Sequence, residues 1–126
     1  MRSLAREVAP LGGAVVLVYI AEAHAYDVWP INSSRHNGPG NTVASHKTQG
    51  ERVSAALRMR TALELEEVPL LCDAMDDAFL QAYAAWPIRF YGVRGGRLEV
   101  IAQPHAASFV LPPLREWLLE ACGDGQ

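Results

Sequence analysis

Gly13-Ala14-Val15-Val16-Leu17-Val18-Tyr19-Ile20 decides the fold. The run is continuously apolar and rich in β-branched residues, the pattern of a strand buried on both faces of a parallel sheet. It predicts a central strand and not an edge. Before it, Leu4 and Val8 stand at helical spacing among Arg2, Arg6 and Glu7, so residues 1 to 9 read as an amphipathic helix ending at Pro10. After it comes an irregular stretch, residues 25–45, with Pro30, Gly38-Pro39-Gly40 and several Asn and Ser residues. Long loops in compact domains are usually functional.

Further along, Thr48 and Glu51 form a capping box, and Val53, Ala56, Leu57 and Leu63 give the buried face of the helix it opens, which closes in the acidic patch Glu64 to Glu67. Val68 to Cys72 reads as a short strand demoted towards an edge by Pro69. Asp73 or Asp76 can cap a helix with the stripe Phe79, Ala82, Tyr83 and Trp86, read as core packing. Strands from Ile88 to Val93 and from Arg97 to Ala102 flank Gly95-Gly96, a pair suited to a tight hairpin turn. Pro112-Pro113 opens a last helix with Leu114, Trp117, Leu118 and Ala121 on one face and Gly123 past its end. The element order predicts one α/β domain over residues 1–126, a three-layer α/β/α arrangement whose mixed sheet ends in an antiparallel hairpin.

Composition limits the function. With 126 residues, 50% hydrophobic, the chain can bury one core, and its net charge of -3 offers no basic stripe for nucleic acid. The apolar run is well short of the about 20 residues that span a bilayer, and no basic leader precedes it. Cys72 and Cys122 form no C-x-x-C pair, which fits a reducing cytoplasm and argues against a disulfide scaffold. Both read as small buried hydrophobes. None of the four histidines shares an element with a second ligand at metal-binding spacing, so no metal is expected.

Glu22 and His24 follow the apolar strand directly, where ligands bind in open α/β sheets. A spacing of two puts both side chains on one side of an extended backbone, close enough for a carboxylate to orient an imidazole that moves a proton. The alternative is a surface Glu and a His that bonds the loop. His46 precedes the capping box and reads as capping or solvated, while His36 and His105 read as exposed.

Val18-Tyr19-Ile20-Ala21-Glu22-Ala23-His24-Ala25-Tyr26-Asp27-Val28-Trp29 resembles the signature of the iodothyronine deiodinase family, a strand ending in Tyr-Ile-x-Glu-Ala-His-x-x-Asp-x-Trp. The resemblance continues through Ser45-His46-Lys47 with Glu51-Arg52, Asp73 to Ala78 with Ala82-Tyr83, Arg89 with Tyr91, and the helix Leu114 to Leu118. It implies a thioredoxin-like, peroxiredoxin-like fold and a selenoprotein oxidoreductase. In such a protein a selenolate takes iodine from an aromatic ring while the ring carbon receives a proton. By this resemblance Glu22, His24 and Tyr19 form the catalytic proton relay. His46, Trp29, Pro87 and Arg89 belong to the substrate site, with Pro87 in a cis bond. The implied partners are a small-molecule substrate and an external thiol reductant, with no bound cofactor.

Three departures accompany the likeness. The strand and turn holding the family's selenocysteine are expected upstream of Met1. Ile88 replaces a glutamate before the Arg-x-Tyr of the hairpin strand, and Ala102-Gln103-Pro104-His105 replaces a Gly-Gly-Arg-Gly-Pro loop, which removes an arginine that could grip a substrate carboxylate. These leave three readings: deiodinase-like dehalogenation, a peroxiredoxin-like thiol or selenol peroxidase, and an inert thioredoxin-like binding module. Without the N-terminal strand the isolated chain is expected to be poorly stable, or to fill the gap by repacking or homodimerising. A UGA codon read as a stop would move an apparent start to the next Met codon. Sequencing the DNA just upstream of Met1 is therefore expected to show an in-frame UGA preceded by codons for an apolar strand; an ordinary stop codon contradicts this.

Overall fold

The computed structural model describes residues 1–30, 43–102 and 112–123. His36, His105, Gly38-Pro39-Gly40 and the replaced loop from Gln103 lie outside the described residues. The chain is of α/β class and divides into two compact units.

One unit comprises Met1–Val16, Glu67–Pro69 and the described residues from Ile88 onward. Helix α1, Arg2–Val8, runs on through a 3-10 turn, Ala9–Leu11, which accommodates Pro10 near its start. The α-helix thus ends before Pro10 as expected, and the proline, which lacks an N–H but loses nothing in a first turn, sits in the 3-10 turn that follows. Val8 is fully buried, as its spacing predicts. Strands β3, Phe90–Arg94, and β4, Arg97–Ala102, form the expected antiparallel hairpin, with Gly95 and Gly96 both at positive φ. Gly92 opposes Val100 and Val93 opposes Leu98, so Glu99 is the extra residue of a bulge. Its carboxylate accepts from Arg94 Nε at 3.0 and 3.1 Å and from Trp117 Nε1 at 3.3 Å. Trp117 belongs to helix α4, Pro112–Gly123, and its ring lies over Gly92, where a Cβ would overlap it. Arg115 of α4 pairs with Glu7 of α1, and Arg6 pairs with Glu67. Both pairs are largely solvated and add little to stability.

The other unit comprises Leu17–Glu66 and Leu70–Pro87. Strand β1, Leu17–Tyr19, pairs in parallel with β2, Leu70–Cys72, from Leu17 opposite Leu70 to Tyr19 opposite Cys72. This corrects the long, doubly buried central strand: ordered pairing covers only the residues that β2 reaches, Val16 is 50% exposed, and among the described residues β1 has no second strand partner. Helix α2, Gln49–Ala62, starts as its capping box predicts: Thr48 Oγ1 accepts from Glu51 N, and Glu51 Oε2 accepts from Lys47 N. It stops before the acidic patch, with Glu64 in the left-handed region.

Its buried face also differs. Arg52, Ala55 and Ala56 are buried, while Val53, Leu57 and Leu63 are exposed; only Ala56 is common to both readings. The reason is Arg52, whose Nη1 donates to Ala74 O at 2.6 Å and to Asp77 Oδ1 at 2.8 Å. Those acceptors compensate for burying a guanidinium and rotate the helix towards it. The stripe Phe79, Ala82, Tyr83, Trp86 is likewise not a core. Helix α3 is only Ala78–Tyr83, it buries no residue, and the following Ala85 is buried instead. Phe79 and Tyr83 stack on each other at 4.5 Å.

Asp73 organises this region. Its amide continues the strand pairing by donating to Tyr19 O at 2.8 Å. Its buried carboxylate accepts from Ala74 N at 3.0 Å and from Phe79 N and Leu80 N at 2.9 Å each, while Asp76 accepts from Ala78 N. The first-turn amides of α3 thus find the two acidic residues picked out as caps. Asp73→Ala is expected to cost about 2 to 3 kcal/mol by stranding these amides. Urea unfolding measures it; a loss under about 0.5 kcal/mol contradicts the role.

Candidate active site

Tyr19, the last residue of β1, donates its hydroxyl to Glu22 Oε1. Glu22 is half-buried, and that burial pushes its carboxyl above the ordinary carboxylate range, partly offset by the charge of His24. Burial alone favours the neutral acid. The pair therefore places a carboxyl able to hold a proton at the mouth of the parallel strands.

His24 is held by a different group. Val28 N and Trp29 N both donate to Ala25 O, at 3.1 and 3.0 Å, closing a tight turn around the buried Ala25. The turn brings Trp29 back to His24, with Nδ1 3.3 Å from Trp29 O and the rings 4.5 Å apart. With Nδ1–H donating to that carbonyl, Nε2 is the atom that gains and loses the proton. The sequence pointed to Glu22 as the group orienting the imidazole. In the structure Glu22 bonds Tyr19, and the carbonyl and ring of Trp29 orient His24. Trp29 in turn stacks on Trp86 at 5.8 Å and 23°, and the Trp86–Pro87 bond is cis, as the resemblance implied.

His46 comes to this region through a clamp that sequence reasoning did not assign. Asp27 Oδ1 accepts from Ser45 N at 2.7 Å, Oδ2 accepts from Ser45 Oγ at 2.6 Å, and Lys47 Nζ lies 3.8 Å away. The Ser45 bonds hold the Asp27 carboxyl below its usual range. Tyr26 N adds a bond to Val43 O at 3.0 Å. Joined in this way, the two segments set the His46 ring 5.8 Å from Tyr19. Asp27 and Ser45 both lie within the quoted motifs, which was the available signal. Both nitrogens of His46 are buried without a hydrogen-bond partner among the described residues. Burial lowers its pKa first, and the charges of Arg52 and Arg58 lower it further against Glu51.

Tyr19, Glu22, His24, Trp29, His46 and Pro87 therefore share one unit, while Arg89 belongs to the other, where its Nη1 donates to Ile88 O at 2.8 Å. Cys72 stands opposite Tyr19 in the strand register, and burial raises its thiol pKa, so it is a poor nucleophile near neutrality. Among the described residues there is no cluster of three His, Cys, Asp or Glu side chains suited to a metal, and no helix is long and apolar enough to cross a membrane.

A carboxyl and an imidazole thus lie beyond the end of a parallel strand on an α/β scaffold, with stacked indoles beside them. The profile of iodothyronine deiodinases matches residues 12–121. A type I iodothyronine deiodinase from Xenopus laevis is 30% identical over 66% of this chain and 30% of its own length. A thyroxine 5-deiodinase from Gallus gallus is 30% identical over 82% of the chain and 37% of its own length. A type II iodothyronine deiodinase from Petromyzon marinus is 33% identical over 68% and 28%. The chain belongs to the iodothyronine deiodinase family, and it spans between 28% and 37% of the length of these relatives.

The two shifted groups give opposite pH signatures. An unfolded chain protonates its histidines near the ordinary 6.5, whereas half-buried His46, its ring nitrogens shielded from solvent, resists until lower pH. The stability held by neutral His46 is thus full above 6.5 and lost as pH falls through its depressed value. Glu22 acts the other way: the stability it lends below 4.5 is lost as pH rises through its elevated value. Comparing His46→Asn with the unaltered chain isolates the first effect. Acidification from about pH 7.5 to about pH 5.5 is expected to destabilise the unaltered chain more than the variant in urea unfolding. Parallel changes in the two proteins contradict the burial of a neutral imidazole.

Proposed function

We propose that this chain supplies the proton-handling half of a deiodinase-like reductive dehalogenase acting on a halogenated aromatic. In the reaction a selenolate, carried upstream of Met1, takes the halogen. The carbon–halogen bond breaks as a selenium–halogen bond forms and the ring carbon gains a proton; one external thiol then displaces halide to give a selenenyl sulfide, and a second releases the selenol and leaves as the disulfide. This chain's own residues supply and steer the proton. His24 delivers it from Nε2, its ring fixed by Trp29. Glu22, its carboxyl pushed above the ordinary carboxylate range by burial and anchored by Tyr19, exchanges a proton with His24. Trp29 and Trp86 offer aromatic faces to a flat substrate.

The observation that carries the reading is the coincidence of the family signature with a carboxyl and an imidazole at the strand end, Glu22 raised by burial and His24 with its Nδ1 engaged by Trp29 O. Halide release with a thiol reductant, by the chain joined to an upstream strand bearing selenocysteine or the weaker cysteine, tests it. His24→Ala is expected to slow that protein by about 100-fold or more, and Glu22→Gln by less, since the donor stays in place. Equal turnover without His24 would reject the relay. The chain without the upstream strand is expected to show no turnover.

A further inference from the structure

The His46 ring makes no hydrogen bond of its own among the described residues. Both of its nitrogens are shielded from solvent, a desolvation cost that swinging the side chain out into water would remove. Its place beside Tyr19, with ring centres 5.8 Å apart, therefore depends on other groups. Its two chain neighbours supply them. On one side Ser45 donates from N and Oγ to the two oxygens of Asp27, at 2.7 and 2.6 Å. On the other, Lys47 N donates to Glu51 Oε2 at 2.6 Å, in the first turn of α2. Lys47 Nζ returns to Ser45 Oγ at 2.7 Å, so the hydroxyl accepts from the ammonium while it donates to the carboxylate.

Glu51 caps its own helix and serves that end wherever the imidazole points. Asp27 lies 18 residues before Ser45 in the chain, and its carboxylate faces Ser45 with both oxygens. Two charge-assisted bonds to one residue fix where that residue sits and how its backbone turns. The bond from Tyr26 N to Val43 O, 3.0 Å, joins the same two segments without using the carboxylate. Removing the carboxylate thus frees the residue before His46 while the segments stay tied. The clamp is solvated, with 32% of the Asp27 side chain and 71% of the Lys47 side chain exposed, so it can open without unfolding the chain.

We propose that Asp27 is the positioning residue of His46: through Ser45 its carboxylate holds the imidazole beside Tyr19 and out of water. The inference rests on the proposed function for its catalytic meaning. A ring held in this way stays neutral near pH 7 and keeps one nitrogen able to donate and one able to accept, which a solvated imidazolium does not.

Titration of the His46 ring by NMR tests this without turnover. The groups facing the ring, Arg52, Arg58 and Glu51 of α2 and Tyr19 of β1, remain in every variant. Losing the Asp27 anion would, by charge alone, make the imidazole harder to protonate, whereas release into water makes it easier, so the sign of the change separates positioning from plain electrostatics. In Asp27→Ala the midpoint is expected to rise towards the ordinary 6.5. Ser45→Ala is expected to move it part of the way, and the double variant no further than Asp27→Ala, because both act through one clamp. Asp27→Asn, which keeps an acceptor, is expected to recover part of the difference. A midpoint unchanged or lowered in Asp27→Ala, or shifts that add in the double variant, overturns the proposal. Circular dichroism confines the comparison to folded protein; if Asp27→Ala does not fold, an unchanged or lowered midpoint in Ser45→Ala is decisive against it. A failure here leaves the His24 dependence of dehalogenation standing, and an inactive extended protein leaves the His46 shift standing.

Discussion

Asp73 is the constraint on which the rest of the site-bearing unit depends. It prolongs the β1–β2 pairing through its amide, satisfies three backbone amides through its carboxylate, and presents its carbonyl 3.4 Å from the guanidinium of Arg52. Strand, short helix and long helix thus meet at one buried aspartate. Because its amide bonds Tyr19 O, that junction also fixes the end of β1 from which Glu22 and His24 depart. Helix α3, with six residues and nothing buried, would be marginal alone. Its capping by a residue outside itself is what gives it a defined start.

The chemistry of the region comes from placing each titratable group in a different setting. Glu22 loses water and so resists ionisation. His46 loses water beside two arginines and so resists protonation. Asp27, given two donors by Ser45, stays ionised and serves as a clamp. Environments that push neighbouring groups apart in this way separate proton donors from structural anions. Backbone geometry adds selectivity of its own: the turn closed on Ala25 O makes Trp29 both the hydrogen-bond acceptor and the ring neighbour of His24.

What could be read in the sequence was what local chemistry decides. Gly95-Gly96, the Thr48 and Glu51 cap and the acidic caps of α3 depend on φ angles or on side chains reaching a few residues, and all appear where expected. What could not be read depends on partners distant in the chain. Strand β1 is as long as β2 allows, and the buried face of α2 turns towards carbonyls twenty or so residues on, an arginine among alanines being the faint clue. The site divides the same way. The Tyr19 to Trp29 motif locates its residues, but the spacing pairs Glu22 with His24, whereas in the structure Glu22 bonds Tyr19. That exchange follows from the turn at Ala25, whose hydrogen bonds no periodicity announces.

In the proposed reaction, proton transfer by groups at the end of β1 accompanies loss of halogen from an aromatic ring. Its most direct test is single-turnover halide release by the selenocysteine-bearing protein in H2O and in D2O. Release is expected to be slower in D2O, with deuterium on the carbon that carried the halogen. Identical rates in the two solvents would contradict it.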